Sequence, residues 1–244
     1  MDMKIIFSPT KKMVFDDDIA YKGLPLFVDE AQVLLSKLRG MSRDELKVLY
    51  RCNDTILDEN LKRIELMDLH RDLSCALFSY TGLAFQHLSP ISLQEDELAY
   101  LQDCFRILSG FYGILKPMDG ITPYRLEMQS VFGDGSSLYD FWQDKLYRVL
   151  NDDVIINLAS KEYSKCIQPY LCKHDRMIDI VFGELKNGKL VTKATMAKIA
   201  RGDMVWFMAK HKISNPEEIK KFDEHYRFDE SLSDDTHFVF VYQG

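Results

Sequence analysis

Arg125 and Glu127 stand two residues apart inside an apolar frame, Pro123-Tyr124-Arg125-Leu126-Glu127-Met128. If that segment is extended, both side chains point the same way, because side chains two apart in a strand share a face. A half-buried Arg–Glu pair is tolerated only when it is well hydrogen-bonded, so the pattern reads as a polar site set into a packed wall. Three other clusters carry comparable chemistry. Ser8-Pro9-Thr10-Lys11-Lys12 follows a strand candidate, where open α/β sheets place ligand loops. Lys11 is there either to meet an anionic ligand or as an exposed turn lysine, and no phosphate loop of the GxxxxGK[ST] type accompanies it. Asn157-Leu158-Ala159-Ser160-Lys161-Glu162-Tyr163 repeats the strand-to-helix geometry. Ser160 and Tyr163 would share one helix face, with a plain N-cap by Asn157 or Ser160 as the alternative. Lys198 and Arg201, three apart in a helical pattern, project together and suit a phosphate, a carboxylate or a nucleic-acid backbone. Their apolar flanks, from Met196 to Met208, favour a lined cleft over a solvated face.

Just ahead of the Arg–Glu frame, the run Phe105-Arg106-Ile107-Leu108-Ser109-Gly110-Phe111-Tyr112-Gly113-Ile114-Leu115 breaks a strand-like stretch with two glycines. Gly110 and Gly113 mark backbone that needs positive φ or admits another group closely. Arg39, Gly40, Ser42 and Arg43 lie between two helices and partly match a helix-hairpin-helix DNA-contact turn. One glycine stands where that turn has two, and an ordinary αα-hairpin accounts for the same residues. Metal signals are weak. Cys166, Cys172 and His174 lack zinc-site spacing, and the six histidines form no HExxH pair. Neither a metal nor a cofactor is expected.

The elements that must position these groups can be read from spacing. Lys4 to Phe7 is a strand candidate. Asp29–Arg39, Arg43–Arg51 and Asp54–Asp68 have helical spacing, and Ser42 with Glu45 forms a capping box. Ser92 with Glu95 suggests a second box before a helix ending near Gln102. Strand candidates follow at Phe105–Leu108, Val154–Asn157, Met177–Glu184, Leu190–Thr192 and Phe238–Tyr242, with Asn187-Gly188 as a hairpin turn. Helices are expected at Leu138–Leu150, Ser160–Lys165, Ala194–His211 and Pro216–Phe222. The pattern predicts one α/β domain over residues 1–244, a mixed sheet surrounded by helices, with a helical block at about 29–103 inserted after the first strand.

Composition narrows the class. With 46% hydrophobic and 28% charged residues, the chain reads as an ordinary soluble globular protein. No stretch nears the roughly 20 apolar residues of a membrane span. Its opening residues form no signal peptide, and the odd set of five cysteines lacks a CxxC, so a cytoplasmic location is expected. Net charge is −7, concentrated in residues 1–103 with 12 basic and 18 acidic residues. Only Lys186 to Lys212 is locally basic. Nucleic-acid binding would therefore depend on a local basic groove.

These motifs, taken in order, resemble the YaaA family of bacterial peroxide-stress proteins over nearly the whole chain. The resemblance rests on Ser8-Pro9 with Lys11, Tyr80-Thr81-Gly82-Leu83, and Leu108-Ser109-Gly110-Phe111-Tyr112-Gly113-Ile114-Leu115-Lys116-Pro117. It continues through Pro123 to Met128, Leu138-Tyr139-Asp140-Phe141-Trp142, Ile156 to Ser160 with Tyr163, and Ala197-Lys198-Ile199-Ala200-Arg201-Gly202. It implies a cytoplasmic protein that limits free iron and oxidative DNA damage under hydrogen peroxide. It also implies a compact α/β fold, a positively charged cleft and affinity for DNA. Ile199 stands where the family often has a second lysine, which removes one charge from that cleft.

Two molecular readings follow. In the first, Lys11, Arg125, Lys198 and Arg201 contact DNA phosphates and the Gly40 hairpin adds backbone contacts. In the second, the mixed set Lys11, Tyr124, Arg125, Glu127, Asn157, Ser160, Lys198 and Arg201 forms a site for a small anionic or nucleobase-like ligand, enzymatic or formerly so, with Tyr112 and Tyr124 stacking on a ring. Plain phosphate binding needs neither Glu127 nor Asn157, whereas orienting a substrate and moving protons uses such mixtures. Direct iron sequestration would need a His–carboxylate set, whose spacing is not visible.

Overall fold

The computed structural model describes residues 3–150 and 154–244. Strand β1 (Met3–Phe7) leads into helices α1 (Val28–Arg39), α2 (Arg43–Tyr50) and α3 (Asp54–Leu66). A two-residue strand β2 (Ser74–Cys75) opens into the single turn α4 (Ala76–Ser79), then α5 (Leu83–Leu88) and α6 (Glu95–Cys104). Next come β3 (Phe105–Ser109), β4 (Gly113–Leu115), β5 (Gly120–Ile121), α7 (Leu138–Trp142) and α8 (Lys145–Arg148). The last third holds β6 (Val154–Asn157), α9 (Lys161–Ser164), β7 (Arg176–Lys186), β8 (Lys189–Val191), α10 (Ala194–His211), β9 (Tyr226–Phe228) and β10 (His237–Tyr242).

The main sheet runs β4-β3-β1-β6-β7-β10-β9, with β8 folded back on β7. β3, β1, β6, β7 and β10 are parallel, and β4 and β9 close the edges antiparallel. Parallel strands covered on both faces require continuous apolar runs. Phe105–Ser109 and Val154–Asn157 are accordingly buried at every position. The helical block between β1 and β3 packs Leu34, Leu38, Leu46, Leu57 and Leu101 into the same core. Among the described residues, no helix is long and apolar enough to cross a membrane.

The class and most elements match expectation, and the departures have local causes. The span Leu138–Leu150 is two short helices, because Gln143 adopts φ 45° between them. The capping box of α6 is Gln94 with Glu97. Ser92 instead lies in a 3-10 turn, its hydroxyl donating to the Ser89 carbonyl. Pro216–Lys221 is 3-10 helix. Asn187 (φ 50°) and Gly188 (φ 74°) form the expected β7–β8 turn, since this kind of hairpin needs positive φ at both residues.

A small second sheet, β2 with β5, fastens the helical block to the main sheet. Its corner contains Asp119, which accepts the Lys116 N–H at 2.8 Å and is 7% exposed. Burial pushes this carboxyl up to about 6. The folded state therefore holds the proton more tightly than the unfolded chain, and stability falls as pH rises from about 4 to about 6. Asp119→Asn keeps an acceptor for the Lys116 N–H and removes that fall. Urea titrations at pH 4.5 and 7 should show the variant gaining about 2 kcal/mol on the wild type at the higher pH. An equal difference at both pH values would contradict it.

Candidate functional site

The chain leaves β1 toward β3 on one side and leaves β6 toward β7 on the other, so the C-terminal ends of β1 and β6 form the switch point of the sheet. Open α/β sheets carry ligands at this crevice. A cleft of about 450 Å³ occupies it, within the size range of small-molecule sites. The two loops that leave these strands are tied together. The Leu158 N–H donates to the Ile6 carbonyl at 3.0 Å, and the Ser160 N–H donates to Ser8 Oγ at 2.8 Å. Asn157 lies beneath. Its Oδ1 accepts the Ala159 N–H at 2.9 Å and its Nδ2 donates to Asp179 Oδ1 at 2.7 Å. Of the sequence candidates, Lys11, Tyr124, Arg125, Glu127, Ser160, Lys198 and Arg201 line this cleft, whereas Asn157 shapes its floor from below.

The cleft wall depends on Gly110. A Cβ there would stand 2.5 Å from the Leu126 carbonyl oxygen and 2.9 Å from the Glu127 carbonyl carbon. Only glycine lets the 126–128 backbone lie against β3. Gly113, at φ +73°, meets the other requirement, positive φ. On this wall Glu127 is clamped between Lys11 at 2.8 Å and Arg125 at 3.5 Å. Arg125 also donates to the Tyr50 carbonyl at 3.3 Å. The same-face expectation for Arg125 and Glu127 is met by this contact.

Tyr124 Oη sits between Tyr80 Oη at 2.9 Å and Ser109 Oγ at 2.6 Å. Ser109 Oγ already accepts the Phe111 and Tyr112 N–H groups. Its hydrogen is therefore given to Tyr124, which in turn donates to Tyr80. Burial pushes the Tyr124 hydroxyl up to about 12. Burial, aided by Tyr124, raises Tyr163 well above its ordinary range. Both are neutral donors and ring surfaces rather than bases. Tyr112 takes no part in stacking within the cleft. It is fully buried, its ring edge-on to Phe111 and Tyr124 and its hydroxyl accepting the Thr122 N–H.

The opposite wall is α10. Most of the basic stretch around it is neutralised: Lys186 and Lys193 pair with Glu184, Lys210 with Glu97, and Lys212 with Asp96. Lys198 and Arg201 have no ion-pair partner among the described residues. Arg201 Nε is buried with no hydrogen-bond partner there. Burial lowers the guanidinium pKa and nearby Asp179 opposes the shift; arginine stays charged regardless. A desolvated, unpaired guanidinium facing a cleft is a strong attraction for an oxyanion.

Sequence reading missed Glu162, which was seen only as part of the α9 start. Its Oε1 accepts the Gln129 N–H at 3.3 Å, and burial raises its carboxyl pKa. The pairing of α9 with the 125–129 wall has no periodic signature that could have announced it. The hairpin residues have internal duties. Arg39 donates to the carbonyls of Ile64, Glu65 and Met67, Ser42 caps α2, and Arg43 pairs with Asp54 and Asp58. Gly40 has ordinary right-handed φ. None of the four lines the cleft. A wider depression of about 740 Å³ beside α3 has several of its charges already paired, such as Asp58 with Arg43 and Glu59 with Arg63.

Fold and site together define an α/β protein with a mixed-charge cleft at the switch point of a largely parallel sheet. The model of the family described as "Peroxide stress protein YaaA" matches residues 3–232. The chain is 50% identical to a UPF0246 protein of Agathobacter rectalis, covering 98% of each sequence. It is 47% identical to UPF0246 proteins of Lachnoclostridium phytofermentans (98% of this chain, 96% of the relative) and Lactiplantibacillus plantarum (99% and 100%). The chain belongs to the YaaA peroxide stress protein family.

Proposed function

We propose that this chain serves in peroxide defence, limiting free iron and protecting DNA, by binding an anionic ligand in the switch-point cleft. The observation that carries this reading is Arg201, unpaired and largely desolvated beside Lys198 on a wall where the other cations are mostly neutralised. The geometry favours a compact ligand over a duplex. The recess is about 450 Å³, and its cations stand opposite carboxylates that would repel a continuous phosphate backbone.

The test is calorimetric titration with inorganic phosphate and pyrophosphate, beside anisotropy titration of labelled duplex and single-stranded DNA at several salt concentrations. Wild type and Lys198→Ala/Arg201→Ala are compared. Small-anion binding weakened about 150-fold or more in the variant is expected, from two charge-assisted hydrogen bonds at roughly 1.5 kcal/mol or more each. DNA binding whose salt slope falls by about two in the variant would favour the nucleic-acid reading instead. No anion binding by wild type would sink both.

A further inference from the structure

The cleft is polarised. Its α10 side offers two unpaired cations, Lys198 and Arg201, and its other side offers two carboxylates of unlike status. Glu127 is fully engaged with Lys11 and Arg125. Glu162 is not. It is half-buried and lines the cleft, and the donors that meet its carboxylate are backbone N–H groups, Gln129 at 3.3 Å on Oε1 and the neighbouring Met128. Among the described residues, no cation lies within ion-pair distance of it. The helical turn carrying it is pinned by the Tyr139 hydroxyl, which donates to the Glu162 carbonyl at 2.8 Å. A half-buried carboxylate without a cation retains capacity for further donors, and a fixed one can choose among them.

We infer that Glu162 is a specificity residue for a small phosphorylated ligand whose far end presents N–H donors, namely a nucleotide with a guanine-type edge. The phosphate would meet Lys198 and Arg201, and paired N–H groups of the base would meet the Glu162 carboxylate. Tyr124 and Tyr163 line the same cleft. A guanine edge offers two adjacent N–H donors to one carboxylate, hypoxanthine one, and inorganic phosphate none. This assignment rests on the anion-binding reading above and adds to it the identity of the other end.

The experiment is titration of wild type and Glu162→Gln with guanosine 5′-monophosphate, inosine 5′-monophosphate and inorganic phosphate. Urea melts confirm that the near-isosteric variant is folded. Wild type should bind the guanine nucleotide about 10-fold more tightly than the hypoxanthine one, since a carboxylate built for two donors penalises their loss. Glu162→Gln should erase that preference without lowering phosphate affinity, because it removes a like charge from the anion's cleft. Phosphate binding that depends on Lys198 and Arg201, with no added affinity for either nucleotide, overturns the Glu162 assignment while the anion cleft stands. A Glu162→Gln change that weakens phosphate as much as nucleotide also overturns it. Failure of every probe to bind wild type overturns both readings.

Discussion

Replacement of Trp142 by alanine is expected to lower unfolding free energy by about 4 to 6 kcal/mol, combining the usual loss for a buried tryptophan with one stranded carbonyl. The indole is completely buried, and its Nε1–H donates to the Gly110 carbonyl at 3.0 Å. It also fills the space where a Cβ at Gly113 would stand, at 2.8 to 2.9 Å. One side chain therefore holds both glycines of the β3–β4 turn. Through Gly110 it sets how closely the 126–128 backbone lies, and so where Arg125 and Glu127 project. Urea denaturation should show the loss, with cleft binding weakened even in residual folded protein. Trp142→Phe keeps the ring and loses the donor, so its cost should be clearly smaller. A Trp142→Ala variant within about 1 kcal/mol of wild type, a cost typical of peripheral sites, would show that the turn holds its shape without this anchor.

How much of this was legible in the sequence depends on the range of the determining interaction. β6 and α10 were readable to the residue, because an unbroken apolar run and an 18-residue helical pattern are local signals. The break at Gln143 was not, because neither glycine nor proline marks its φ of 45°, which falls between the buried Trp142 and Leu146. β9, three residues at a sheet edge, gains its strand character from pairing with β10. The same division runs through the site. Arg125, Glu127, Lys198 and Arg201 announced themselves by charge within apolar frames. Asn157 had the right type but the wrong direction, since two hydrogen bonds hold its amide under the loop. Glu162 reaches the cleft because α9 meets the 125–129 wall, and no spacing encodes that meeting.

Gly202→Val should break the protein at the crossing of α10 and α5. A Cβ on Gly202 would lie 2.2 Å from the Ala84 carbonyl oxygen, 2.8 Å from His87 Cβ and 2.9 Å from the Leu88 nitrogen. Two of those contacts are backbone and cannot turn aside, and valine adds two methyls to the clash. Helix propensity would favour the substitution by only a few tenths of a kcal/mol. The expected cost is therefore upwards of about 3 kcal/mol, at the severe end of overpacking. The two helices cannot simply separate, because His87 Nδ1 and Asp203 Oδ1 meet at 2.9 Å across the same crossing. The far end of α10 is held as well, by Lys210 on Glu97 and by the Tyr100 hydroxyl on the Ile213 carbonyl. Strain at Gly202 must then move the adjacent turn, which carries Lys198 and Arg201. Any folded fraction should lose phosphate affinity although both cations remain. Gly133→Ala supplies the contrast, since a Cβ there meets nothing within 4 Å and φ is not in the left-handed region. That variant should melt within about 0.5 kcal/mol of wild type. A Gly202→Val protein of wild-type stability and affinity would mean that the crossing relaxes freely and does not set the cation wall.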